Sequence, residues 1–462
     1  MTRATLLCGL VLIAVPAVAL AQDTSAIDRG VRIGIVYRPG VRPGLVILPG
    51  RPATLDSVRA ILSRDLDYSD RFELITLPGA DSLHFGPAAV ATTTGSSATR
   101  PGSRHSTGGP KATGLNYPLF QALGADFAVE TGQKGDTTQV VVHDVGAGSV
   151  RRTLTTRLPP LGDPDFRMDV HRLADQILLV TLGNTGIAAS RVLFVREGKV
   201  YRIDQDGAAT TLVSSSDREA MSPAWAPDGT HFSYMEFAAG HGELFVQDVR
   251  TGKRVPVYTT GSALDFTPAF SPDGKILAFS RAIEEGTDIY TVNIKDNCCL
   301  QRLTVGRFSD NLSPTYSPDG QRIAFVSTRP GLPQIYVMAA DGTDQQLFAP
   351  FDYGVTGSSN APEWSPDGQS VAFHRDVGGT LQVFVLDVRS RTVRQLTSVG
   401  RNEDPTWAPD SRHLAFVSDR TGYRQLWVID LETGRIRPLL QQSGARLPAW
   451  SPRIPEAAAV NP

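Results

Sequence analysis

The residues of this chain best placed for chemistry are few. Asp204-Gln205-Asp206-Gly207 has the alternating carboxylates of half a calcium loop. The bidentate acid such a loop needs downstream is missing, and Asp-Gly is also a common hairpin turn. Glu284, Glu285 and Asp288 crowd another turn, where solvated charge is the default. The eight histidines are scattered without metal-ligand spacing. Cys298 and Cys299 are adjacent, which suits neither a metal site nor an ordinary disulfide, so two thiols in a strand-end loop are expected. No G-x-S-x-G elbow, H-E-x-x-H helix or phosphate-cradling Walker loop is present. The expectation is a protein that binds without catalysing, with no cofactor and no metal.

Charge gives no hold on nucleic acid, because 45 basic residues meet 47 acidic ones. The start of the chain speaks to compartment. Arg3 precedes an apolar run from Leu6 to Val18, closed by Ala19-Leu20-Ala21. This is the pattern of a secretory signal peptide (1–21), cut after Ala21. The run is short for a membrane span and contains Pro16. No later segment is apolar enough to span, so the mature chain is expected to lack a transmembrane segment.

The elements that would position a binding site fall into two textures. Residues 22–186 mix helix and strand signals and read as an N-terminal α/β domain. A polar arm covers 22–30, and "VRIGIVY" from Val31 alternates like a strand. Leu55, Val58, Ile61 and Leu62 recur at helical spacing. Residues 86–114 are Gly, Ser, Thr and Pro-rich and read as a flexible insertion. A further helix is expected from Asp163 as cap, through Phe166, Val170, Leu173, Ala174, Ile177, Leu178 and Leu182, to stops at Gly183 and Gly186.

From Ser190 to about residue 455 the pattern is all-β. One turn returns as WAPDG, FSPDG, YSPDG, WSPDG, WAPDS and WSPR, with prolines at 227, 272, 318, 366, 409 and 452. Gaps of 45, 46, 48, 43 and 43 residues are those of propeller blades. Proline presets the turn, aspartate suits its third position, and glycine accepts a left-handed end. An aromatic follows seven residues after each complete proline (Tyr234, Phe279, Phe325, Phe373, Phe416) and another eighteen after (Phe245, Tyr290, Tyr336, Phe384, Trp427). These rings are expected to pack between blades, not to form a binding stripe. Residues 191–213 carry three strands without a first, and the chain's last strand, before Pro452, has a first without the rest. Together they predict a six-bladed propeller whose last blade is closed by the C-terminal strand.

Ligands or partners of such a scaffold are expected where the varied loops enter the inner strands, at one mouth of the channel. The loops are SDREAMSP, GSALDFTP, RFSDNLSP, YGVTGSSNAP, GRNEDP and SGARLP.

"TPAFSPDGKILAF", "SPTYSPDGQRIAFVSTRPGLPQIYVM", "DPTWAPDSRHLAFVSDRTG", the closing "RLPAWSP", "LSRDLDYSDRFEL" and "HRLADQILLVTLGNTGIAASRVLFV" together resemble the TolB family, the periplasmic component of the Tol-Pal system of Gram-negative envelopes. The resemblance covers nearly the whole mature chain. It implies a non-enzymatic adaptor in the periplasm, expected as a monomer. The channel mouth would receive Pal, the peptidoglycan-associated lipoprotein, and the N-terminal region would be read by TolA. The implied roles are outer-membrane integrity and constriction at cell division, with bacteriocin import as an exploited use. The family's contact positions map onto Leu264, Thr267 and Leu312, where the residue types here depart from the family's; Asp70 stands where the family has Gly. Around them the mouth is expected to include Asp265, Asp310, Asn311, Ser359, Asn360, Asn402 and Glu403. The alternatives are a propeller accessory or substrate filter of a prolyl-oligopeptidase-like or tricorn-like protease, and a ligand-binding lectin.

Overall fold

The computed structural model describes residues 42–49, 55–77, 115–215, 217–238, 241–257, 263–351 and 356–456. The expected signal peptide, arm, strand at 31–37 and insertion at 86–114 lie outside the described residues.

The first layer is a five-stranded sheet, β2-β1-β3-β4-β5, covered by helices. In chain order its elements are β1 (Gly44–Ile47), α1 (Asp56–Tyr68), β2 (Glu73–Leu74), α2 (Tyr117–Ala122), β3 (Ala125–Lys134), β4 (Thr137–Asp144), β5 (Ser149–Thr156) and α3 (Phe166–Leu182). Helices α1 and α3 share one core with the sheet: Val58, Leu62, Leu66, Val170, Leu173 and Ile177 meet Phe72, Phe127 and Val140. The apolar face expected of α3 is the buried one. Its start differs: the helix begins at Phe166, and Asp163 instead accepts the Asp165 N–H at 2.9 Å in the turn before it. Gly183, at φ 72°, stops it in the left-handed conformation. Strand β1 escapes periodicity because GLVI is buried on both faces and does not alternate.

The second layer is a β-propeller. Strands β6 (Arg191–Arg196), β7 (Lys199–Asp204) and β8 (Thr211–Leu212) are joined by the last strand, Arg446–Trp450, in the order last-β6-β7-β8. Three further repeats each form a four-stranded sheet. Six separate units were expected; instead the first two repeats run together as one eight-stranded sheet, through a parallel bridge between Gly242 and Leu264. A Cβ at Gly242 would stand 2.7 Å from Leu264 Cδ1 and 3.0 Å from the Asp265 carbonyl oxygen, so glycine eases this close approach of the strands.

The repeated turn has a packing role besides its local one. Gly274, Gly320 and Gly368 take φ of 70°, 70° and 74°. A Cβ on each would lie 3.4, 3.6 and 3.1 Å from Pro227, Pro272 and Pro318, the turn prolines of the preceding repeats. Gly229 faces Pro452 in the same way, at 3.5 Å. The fifth turn has Ser411 at φ 56°, and its hydroxyl accepts the Asp367 N–H at 3.0 Å. The turns thus stack on one another.

The two aromatic series are direct cross-strand partners: Tyr234–Phe245, Phe279–Tyr290, Phe325–Tyr336, Phe373–Phe384 and Phe416–Trp427. The first member of each pair is fully buried. Cys298 and Cys299 are not free thiols but a disulfide; the backbone is left-handed at Asn297 (φ 47°) and Cys299 (φ 65°) around it.

Candidate functional site at the channel mouth

Each inner strand carries the same local irregularity. Just before its proline sits a non-glycine residue with positive φ: Ser222 (52°), Thr267 (48°), Ser313 (55°), Ala361 (51°), Asp404 (52°) and Leu447 (50°). The ladder shifts register across these positions, for instance between Phe266 and Ala269 and between Glu403 and Thr406. These are β-bulges, which re-aim side chains and are costly for branched residues and before proline. Six strained bulges at equivalent places form a ring in the wall of the channel.

The bulges also decide which expected site residues face outward. Asn311 and Asn402 are fully buried. Asn311 donates to Asp288 at 2.9 Å and accepts from Arg329 at 3.0 Å. Asn402 donates to Gln382 at 2.8 Å and accepts from Arg420 at 3.1 Å. Each asparagine therefore latches one repeat to the previous one. Ser359 is buried against Arg375 Nε at 3.0 Å, and Asp265 is buried 3.6 Å from Arg281. Asp310 is half-buried and accepts the Thr287 N–H at 3.1 Å. Glu403 lies between Arg401 (3.0 Å) and Arg424 (3.3 Å). Leu264, Thr267, Leu312 and Asn360 remain partly accessible, and the Thr267 hydroxyl meets that of Ser280 at 2.6 Å.

Residues missed in the sequence complete the mouth. Antiparallel pairing puts the loops joining second to third strands, and fourth strands to the next inner strand, at one end of the propeller. Phe237, Val305, Phe308, Leu332, Val377, Val399 and Tyr423 are exposed there, Phe308 completely. The propeller's other exposed large apolar residues among those described, Leu212, Val255 and Leu347, lie on outer strands, so the opposite end has none. A phenylalanine inside the polar stretch VGRFSD was the available signal.

Asp404 and His374 were also missed. Burial, and Glu403 alongside, push the Asp404 carboxyl up to about 6. Burial, and the Arg401 charge, hold His374 down at about 4. The neutral ring accepts the Asp404 backbone N–H on Nδ1 at 3.1 Å. The mouth thus holds a carboxyl raised toward neutrality beside a histidine kept neutral, within an apolar rim.

Away from the mouth, two acid–histidine groups tie the α/β layer to the propeller: Asp65, His171 and Asp206, and Asp70, His413 and Asp430. Their donor types would suit a metal, but their charges are already matched. His171 lies 2.7 Å from Asp65 and 3.6 Å from Asp204; burial would lower it, and the carboxylates outweigh burial and raise it to about 10. A protonated imidazole is no ligand. Asp430 is bound by two nitrogens of Arg412, and Asp70 by Arg435 at 2.9 Å. Asp204 and Asp206 of the possible calcium half-loop are held by Arg191 and Arg167.

The model of the TolB beta propeller domain matches residues 180–352 and 353–461. The chain belongs to the TolB propeller family. Among curated TolB relatives, a TolB homolog of Chlorobium luteolum is 28% identical over 243 residues, 50% of this chain and 53% of that protein. The Tol-Pal system protein TolB of Bordetella pertussis is 29% identical over 188 residues, 39% of this chain and 42% of that one. The match thus spans about half or less of these TolB proteins. The crystal structure of TolB from Acinetobacter baumannii superposes with a TM-score of 0.72 at 22% identity, over 90% of this chain and 98% of that one. That likeness extends the shared fold to the α/β layer. No helix among the described residues is long and apolar enough to cross a membrane.

Proposed function

We propose that this chain is the non-enzymatic TolB-type adaptor of a Tol-Pal system, exported to the periplasm after cleavage behind Ala21. In this reading the eight-stranded sheet counts as two blades, giving six, and the last strand closes the ring. The loop-side mouth receives the folded domain of a peptidoglycan-associated lipoprotein, and the N-terminal region is read by a TolA-type protein. The role is envelope integrity and constriction at division. The observation that carries the reading is the concentration of exposed apolar side chains around one mouth, because such a patch on a water-facing surface marks a partner site. Thr267, Leu264 and Leu312 line it; Asn311 and Asn402 support it from beneath.

Calorimetric titration of residues 22–462 with the soluble domain of the same organism's lipoprotein tests it. Saturable one-to-one binding is expected, weakened at least about tenfold by Phe308→Asp or Thr267→Asp, since burying an unpaired charge in an interface costs several kcal/mol. Absence of binding from low to physiological salt overturns it.

A further inference from the structure

The opposite end of the channel holds a cavity of about 610 Å³, walled by prolines, alanines and aromatic residues at the ends of the inner strands. Its ionisable lining residues are Glu363, Tyr316 and Arg453. Burial pushes Tyr316 up to about 12, so it stays neutral, and Arg453 donates to the Gly186 carbonyl at 2.9 Å.

Glu363 occupies a position whose structural task is visible in neighbouring strands. Thr315 accepts the Trp364 N–H at 3.4 Å, and Thr406 accepts the Trp450 N–H at 2.9 Å. Glu363 Oε1 does the same for Trp407 at 2.9 Å, and also accepts the Thr406 hydroxyl at 3.0 Å. A threonine suffices for this latch, and Ala224, Ala269 and Ala449 manage without one. The carboxylate adds a second oxygen, Oε2, with no protein partner among the described residues. Burial pushes this carboxyl up to about 7, against the two hydrogen bonds that favour its charged form. A half-buried carboxylate with a spare oxygen, in a ligand-sized cavity whose prolines, alanines and aromatic rings are joined by Ser271, Thr315, Thr406 and Ser451 and whose cation, Arg453, is engaged by the Gly186 carbonyl, is a receptor for positive charge.

We infer that this end of the channel binds a small organic cation, an alkylammonium whose charge rests on Glu363 Oε2 and whose chain lies along the proline and aromatic walls. The site is independent of whatever the other mouth binds. Because the carboxyl must be ionised to pair, affinity falls as pH drops through the range where Glu363 takes up a proton.

Hexylammonium chloride is the probe, titrated calorimetrically into the full mature chain. One-to-one binding is expected at pH 8, about tenfold weaker at pH 6. Glu363→Gln keeps an acceptor for Trp407 and Thr406 and should lose binding at least about tenfold while its melting temperature holds. Ser411→Ala removes a turn contact to Asp367 outside the cavity lining and should bind within about twofold of the parent. Hexanol binding as well as hexylammonium, an unchanged Glu363→Gln variant, equal loss in both variants, or no saturable binding at pH 8 would each overturn the inference.

Discussion

His171 shows how a single residue can hold two layers together. It projects from α3, sits fully buried, and bridges Asp65 of α1 to Asp204 of β7. Its pKa is raised in the folded chain. The stability it contributes is therefore complete below its unfolded value near 6.5 and lost as pH climbs through about 10. Thermal unfolding between pH 7 and 10 should show falling stability, and His171→Gln should flatten that slope. The variant leaves Asp65 without its histidine partner, while Asp204 keeps Arg191 and Arg167, and should lose about 3–5 kcal/mol in denaturant unfolding. At the acid end burial opposes ionisation of Asp410, yet His413 and two backbone N–H groups hold it at about 2, so its contribution is full above its ordinary value of 3.8 and lost as pH falls through about 2. Asp70 uses the freedom that aspartate retains at φ 54° to pair with both His413 and Arg435. Where a glycine would only turn, this residue turns and bonds.

At the scale of elements, the repeats were legible because their signals are local. A proline, an aspartate and a glycine in order dictate a turn, and aromatics seven and eighteen residues later must meet across a hairpin of fixed register. Phe325, fully buried against Tyr336 with ring centroids 5.9 Å apart, should cost about 3–5 kcal/mol on replacement by alanine. The bulges were not legible, because a left-handed threonine, leucine or aspartate before proline contradicts local preference and is imposed by neighbouring strands. That one irregularity also explains why the mouth was only half read. Asn311 and Asn402 look like surface amides in polar loops, yet they reach back to the preceding repeat. Asn402→Ala removes one of the two donors to Gln382 Oε1 and one acceptor of Arg420, and should cost about 1–3 kcal/mol in urea unfolding. The adjacent cysteines and the Gly242–Leu264 bridge depend likewise on geometry that no window of sequence carries.

For the whole molecule, the α/β layer and the propeller share a buried ionic seam as well as a chain. Arg435 meets Asp67 and Asp70, Arg412 reaches the Asp70 carbonyl, and Arg437 stacks 4.0 Å from the Tyr68 ring. Several of its charges are shared, Asp70 between Arg435 and His413 and Arg412 between Asp430 and Glu432. Deleting residues 444–462 removes the strand paired to β6. It should replace a single calorimetric transition by broad unfolding with rising light scattering, because β6 becomes an open edge.

That strand has a kinetic consequence. Trp450 pairs with Val192, and its indole donates to Ser190 at 2.8 Å. Ser190 and Trp450 lie 260 residues apart, so β6 waits for a distant segment before its sheet is complete. Every intermediate repeat can form from neighbours, but this one requires the ends of a long segment to meet, the slowest kind of contact for a chain to find. Until that pairing forms β6 keeps an unpaired edge, and the pairing removes it.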